Sequence, residues 1–167
     1  MSTTGGQNQP ICILLWCPWG AGPHYSGPGM SAYRLYSAAD RRRVRLTLAH
    51  GIENHATCPL YESQFQIGKI APDPLTQFRF VRSSRRWIDE HASQFDVFHG
   101  IWGYEATVAP ALRAQQRGLP SVVKFAAYRE DVADKLHGWG SWLGTARRRR
   151  EKLKRISGMI AISRAIR

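Results

Sequence analysis

The sequence has four places where residue type and spacing suit chemistry. The first is Gly27-Pro28-Gly29-Met30-Ser31-Ala32, of the form G-x-G-x-x-A. In a dinucleotide site such a run lets backbone approach a pyrophosphate at a helix N-terminus. Here ten residues separate it from Trp16, the end of the preceding apolar run, and Pro28 occupies the tight turn. An NAD site is therefore not expected. Gly27 and Gly29 read as a helix start that can approach a phosphate or a sugar, against the plainer reading of a surface loop that caps the helix.

The second place is His99, with Trp102 and Tyr104 just beyond it. A neutral imidazole can donate to a sugar hydroxyl and the rings can stack on a sugar face; a buried histidine bonded to backbone is the alternative. No second histidine, cysteine or carboxylate stands at ligand spacing beside it, so a metal site is not expected. The third is Arg129-Glu130-Asp131, which could meet polar groups in a crevice or simply cap a helix as solvated charges. The fourth is the tract Arg147, Arg148, Arg149, Arg150, Lys152, Lys154 and Arg155. It would suit RNA, an anionic membrane surface or a phosphate-bearing ligand, or serve as a solvated helix face. Nucleophile elbows, Walker loops and kinase signatures do not occur, which removes the usual support for hydrolase and nucleoside-triphosphatase readings.

The formal net charge of +12 is concentrated. From Ser141 to Arg167 nine Lys or Arg face one acid, Glu151, so that segment supplies most of the excess. Cys12, Cys17 and Cys58 are an odd set without paired ligand spacing, so neither a disulfide framework nor a zinc site is expected. At 167 residues the chain has room for one domain, and 43% hydrophobic residues can cover its core. The first ten residues lack a basic side chain, and the apolar run after them is too short for a signal-peptide core or a membrane span. The expectation is a flexible tail over residues 1–10, one domain over 11–167, and a cytoplasmic protein.

These residues need elements to hold them. Ile11 to Trp16, Val44 to Ala49, Asp96 to Trp102, Ser121 to Ala127 and Gly158 to Ile162 read as short apolar strands, with a further strand over Gln77 to Val81. Helices are predicted over Met30 to Asp40, Ser84 to Gln94, Val108 to Arg117 with Pro110 in its first turn, and Ala146 to Ile156; another starts at Ser163. Parallel strands need crossovers, and these are helical, so the fold class is α/β: a Rossmann-like parallel sheet with helices on both faces. Ligands in such sheets sit at the carboxyl ends of the strands, which places His99 at the end of a central strand and Ser163 after the last one in the candidate crevice.

Four pieces in this order, Gly20 to Gly29, Asp96-Val97-Phe98-His99, Gly118-Leu119-Pro120 leading into Ser121-Val122-Val123, and Met159-Ile160-Ala161-Ile162-Ser163, make the chain similar to the amino-terminal domain of the GT-B glycosyltransferases grouped as family 4. Ile101 stands where that family often has a second histidine, and Ala126-Ala127-Tyr128-Arg129-Glu130-Asp131 stands where it often has His-Gly and then Asp. The resemblance implies transfer of a sugar from a nucleotide-sugar donor to a glycan or lipid-linked acceptor, usually with retention, with no cofactor beyond that co-substrate and no obligatory metal. It implies that His99 faces the donor sugar, that Gly27 and Gly29 approach the diphosphate or the acceptor, and that Arg129, Asp131 and Ser163 lie around the cleft with Trp102 and Tyr104. It also implies that the carboxyl-terminal, donor-binding domain is absent, leaving an inactive fragment. Many relatives act on lipid-linked acceptors, so the basic tract is assigned to an anionic membrane surface, with the protein peripheral at its inner face. The rival expectation is a non-catalytic nucleic-acid-binding or nucleotide-binding α/β module. Between Ala146 and Ile156 no aromatic residue interleaves the charges, which speaks against nucleic acid.

Overall fold

A computed structural model describes residues 9–25, 27–125 and 145–161. The described elements run β1 (Ile11–Trp16), α1 (Gly27–Ser37), β2 (Val44–His50), β3 (Ser63–Gln66), α2 (Pro74–His91), a 3-10 turn (Ala92–Gln94), β4 (Val97–Ile101), α3 (Glu105–Gln116), β5 (Ser121–Phe125), α4 (Thr145–Leu153) and β6 (Gly158–Ala161). The six strands form one sheet in the order β3-β2-β1-β4-β5-β6, and every pairing is parallel. The expected Rossmann-like α/β sheet is therefore present. Its strand order reverses between β1 and β4, and such a reversal opens a crevice at the carboxyl edge of the sheet.

Alternation along the strands sends side chains to two different covers. Leu14, Trp16, Phe98 and Val123 pack with Phe80 and Ile88 of α2, Val108 and Ala111 of α3, and Leu153 of α4. Leu15, Leu46, Leu48 and Ile101 pack on the other face with Ala32 and Tyr36 of α1. At the centre of the first face Trp16 stacks on Phe98 with ring centroids 5.6 Å apart, and its indole N–H donates to the Ala106 carbonyl at 3.0 Å. That carbonyl is free because Pro110, four residues on, has no N–H to give it. Helix α3 begins at Glu105, so Pro110 lies inside it and not in the first turn, and the missing helical bond is replaced by the indole.

The third strand lies elsewhere than the sequence suggested. Residues 77–81 belong to α2, and β3 is the short stretch Ser63–Gln66 at the sheet edge. Asp73 caps α2 by accepting from the Thr76 amide at 2.8 Å, and Pro74 takes the first helical position, where a missing N–H costs nothing. Phe80, Ser84 and Ile88 then recur every four residues on the buried side, so a segment that looked like a strand is the first half of an eighteen-residue helix. Residues 1–8 of the expected tail over residues 1–10, the helix from Ser163, and Ala126 and Ala127 lie outside the described residues.

Candidate functional site

The crevice is framed by the ends of β1, β2, β4 and β5 and by the start of α1. His99 is the third of five residues in β4, not its last, and only 4% of its surface is exposed. Its Nδ1 shares a hydrogen bond with the Tyr36 hydroxyl of α1, and its Nε2 is buried with no partner. When the tyrosine donates, Nε2 carries the ring proton and is an unused donor. Burial, with a smaller contribution from the charge on Lys124, lowers the His99 pKa to about 4. The ring is thus neutral near pH 7. It suits hydrogen bonding to a hydroxyl and not the holding of a positive charge.

Lys124, which the sequence reading passed over, is the one cation within a described strand that is buried. In register its neighbours across the sheet are Ile101 and Ile160, and it shares the α1 face with His99. Its ammonium donates to the Ser31 hydroxyl at 2.7 Å, and burial pushes its pKa down. No carboxylate pairs with it among the described residues. Ser31 lies in the early turns of α1, near the helix's positive dipole end, so two sources of positive potential converge there without a balancing acid. The signal available in the sequence was a lone lysine inside the strand Ser121-Val-Val-Lys-Phe125.

The two glycines of the first motif differ. Gly27 has φ +57°, and a side chain there would meet open space, so its backbone conformation is what favours glycine. Gly29 is buried, and a Cβ on it would run into the Gly20 carbonyl, so the loop after β1 folds back onto the start of α1. Gly27 is accessible to a ligand; Gly29 serves close packing. Trp102 has φ +75°, a strained conformation for a bulky residue, while its N–H donates to the Lys124 carbonyl at 2.9 Å and its ring packs on the α1-side core. Tyr104 is exposed beside it at the start of α3.

The sequence reading also missed a stack of rings over β1 and β2. His55 lies between His50 and Tyr25, with centroids 4.3 Å and 4.7 Å away, and its Nε2 accepts the Ala21 amide at 3.3 Å. With Nε2 accepting, Nδ1 donates to the Ala56 carbonyl at 2.9 Å, which fixes a neutral tautomer. Burial and the neighbouring His55 lower the His50 pKa to about 4. These residues are 30 positions apart at most, yet nothing in their spacing announces a stack.

Arg129, Asp131 and Ser163 lie outside the described residues. The basic tract is split. Arg148, Arg150, Lys154 and Arg155 are exposed, Lys152 is half-buried and bonded to Glu105, and Lys154 pairs with Glu151 at 2.9 Å; the side chains of Arg147 and Arg149 lie outside the described set. The tract is carried on the α4 side of the sheet, on the layer opposite His99. Among the described residues no group of three or more His, Cys, Asp or Glu could hold a metal ion, and no helix is long and apolar enough to cross a membrane.

Residues 26–167 match the model of a glycosyl transferase 4-like domain, and the chain belongs to that family. Among solved structures it is similar to MurG of Acinetobacter baumannii, at 12% identity and a TM-score of 0.47 over 93% of this chain and 43% of that one. No curated protein matches it in sequence.

Proposed function

We propose that this glycosyl transferase 4-like domain is the acceptor-side, amino-terminal half of a GT-B enzyme that moves a sugar from a nucleotide-sugar donor to a glycan or lipid-linked acceptor. The observation that carries the reading is the pairing, on one face toward the carboxyl edge of the sheet, of a neutral histidine with an unused Nε2 and a lysine with no carboxylate partner among the described residues. Departure of a nucleoside diphosphate leaves negative charge that needs hydrogen-bond donors and positive potential more than it needs a base. Lys124 and the open start of α1 at Gly27 supply the potential. His99 supplies a neutral donor for a sugar hydroxyl, and the exposed ring of Tyr104 a surface for a sugar face. His99 Nε2 is covered in the described structure, so sugar contact requires the crevice mouth to open as a second domain closes over it. Arg129, Asp131 and Ser163 are assigned to the same cleft, no obligatory metal is invoked, and the location is the cytoplasmic side of a membrane.

In the complete two-domain enzyme, His99→Ala should lower the kcat/KM of the folded protein at least ten-fold, equivalent to about 1.4 kcal/mol of transition-state stabilisation, beside a fall in Tm from the emptied site and the unpaired Tyr36 hydroxyl. A large fall in Tm with normal specific activity would make His99 a packing residue. On this reading donor and acceptor are held at reacting distance between two domains, so the glycosyl transferase 4-like domain on its own is expected to show no turnover with any nucleotide sugar.

A further inference from the structure

We propose that the cleft between α2, α3 and α4 is a binding site for a small soluble molecule carrying two phosphate groups. The cleft has a volume of about 420 Å³ and is lined by Arg85, Arg113, Lys152 and Arg155 around a single acid, Asp89, with Ala109 and Leu112 as its apolar part. A space of that size suits a small ligand. Helices α2, α3 and α4 cover the sheet face opposite the one that carries His99 and Lys124, so the cleft is separate from the crevice. Lys152 and Arg155 belong to the basic tract, and they contribute to the cleft while Arg148, Arg150 and Lys154 stay outside its lining.

The charge around the cleft is unbalanced. Asp89 accepts from Arg113 through both carboxylate oxygens, at 2.6 Å and 2.9 Å, and from Arg117 at 2.6 Å, so one acid is shared by two guanidinium groups. Hydrogen bonds from Arg113 and Arg117 hold the Asp89 pKa down at about 2, so the carboxylate stays ionised and keeps both arginines in place. Lys152 is bonded to Glu105. Arg85 and Arg155 are exposed and have no ion-pair partner among the described residues. Five cations, Arg85, Arg113, Arg117, Lys152 and Arg155, thus stand against two acids, Asp89 and Glu105, an excess of three positive charges. A phosphate monoester carries about −1.5 to −2 at pH 7, so two such groups match that excess. Guanidinium is also the planar donor fork that fits phosphate oxygens. The forks are held ready: Gln116 accepts from Arg113 at 3.0 Å, and the Arg155 carbonyl accepts from Gln115 at 2.9 Å, which ties the end of the basic segment to α3. No aromatic side chain lines the cleft, so a nucleic acid would find no ring on which to stack its bases. A recess between helices also suits a small molecule better than a flat surface.

Binding at this cleft is independent of sugar transfer and is measured on the purified full chain. Inorganic pyrophosphate is titrated by calorimetry at constant ionic strength, beside inorganic phosphate and sulfate. Saturable one-to-one binding of pyrophosphate is expected, tighter than that of either single anion and weakened by added salt. R85Q/R155Q should weaken it about ten-fold with Tm unchanged, because both side chains are exposed and make no ion pair among the described residues. R148Q/R150Q removes the same charge from α4 outside the cleft and should change the affinity less than about two-fold. Lys124→Met, in the crevice on the other face, should leave it unchanged. Equal losses from R85Q/R155Q and R148Q/R150Q would overturn the proposal, because net charge and not the cleft would then hold the anion. Loss in Lys124→Met with R85Q/R155Q unaffected would overturn it by placing the anion in the crevice. Absence of saturable pyrophosphate binding would also overturn it, and in that case sedimentation with phosphatidylglycerol vesicles, or salt-sensitive RNA binding, would assign these arginines to a surface or a polymer.

Discussion

Under α2 and α3, buried polar groups are paired: the Trp16 indole with the Ala106 carbonyl, Ser84 with Phe80, Thr107 with Ile101 and Ser121 with Ala111, all at 3.0 Å or less. On the α1 face Lys124 is paired with Ser31 and Tyr36 with His99, but other buried polar atoms are not paired. His50 Nδ1, the Tyr61 hydroxyl, Gln64 Oε1 and His99 Nε2 are buried without partners, and all belong to strands or loops facing that side. Leaving such an atom unpaired costs about 1–3 kcal/mol. One face is thus built for stability, while the other retains unused hydrogen-bonding capacity next to a crevice, where a ligand or ordered water can claim it.

The largest expected effect lies on the satisfied face. Trp16→Ala removes a fully buried ring and leaves the Ala106 carbonyl bare, and should destabilise the chain by about 3–5 kcal/mol. At roughly 2–4 °C per kcal/mol the melting point should fall by at least ~6 °C, readable by circular dichroism. The double variant Tyr36→Phe/His99→Leu on the other face deletes both ends of a partly satisfied pair and should stay within about 1 kcal/mol of the parent. Equal losses from the two substitutions would erase the distinction between the faces.

A smaller effect comes from pH. His50 and His99 have folded pKa values lowered from 6.5 to about 4. Between those values the unfolded chain binds protons that the folded chain does not, so stability should decline as pH falls from about 6.5 toward 4 and receive no further slope from these groups below that. A denaturant series across this range should show the decline in the parent and a flatter profile in His50→Gln/His99→Gln. An unchanged profile would mean that the α1 face does not hold its imidazoles neutral.

Smallest is Lys124→Met. Replacing a buried ammonium that has no carboxylate partner among the described residues by an apolar chain of similar length should change stability by less than about 1 kcal/mol, in either direction. It should also raise the His99 pKa, because the charge that helps depress it is gone. An NMR titration of the imidazole would read that rise, and no movement would show that the two groups do not sense each other.

How much of this was legible followed from burial. β1, β2, β4 and β5 lie inside the sheet and were found because interior parallel strands read as apolar runs, and β6, at the edge of the described sheet, was found from a short apolar run of its own. β3 was not, since Ser63-Gln-Phe-Gln66 pairs on one side only and needs little hydrophobicity. Its place was given to residues 77–81, although Asp73-Pro74 marked a helix start just ahead of them. His99 was picked out because it was read at the carboxyl end of a central strand with rings just beyond it, whereas Lys124 lies inside its strand and was passed over. Tyr36 and the His50–His55–Tyr25 stack depend on contacts between elements, which no local pattern encodes. Gly29 looked like a ligand contact because a motif and a tight backbone crossing call for the same residue.

The position of β1 bears on how the chain is made. Its six residues are synthesised before those of every other described strand, yet they occupy the middle of the sheet and pair with β2 on one side and β4 on the other. The Cys12 carbonyl waits for the Asp96 amide, 84 residues later. At ribosomal speeds of roughly 5–20 residues per second that interval lasts about 4–17 s. During it Ile11-Cys-Ile-Leu-Leu-Trp16 presents an apolar edge unpaired on the β4 side, and non-local pairing of this kind makes for slow folding.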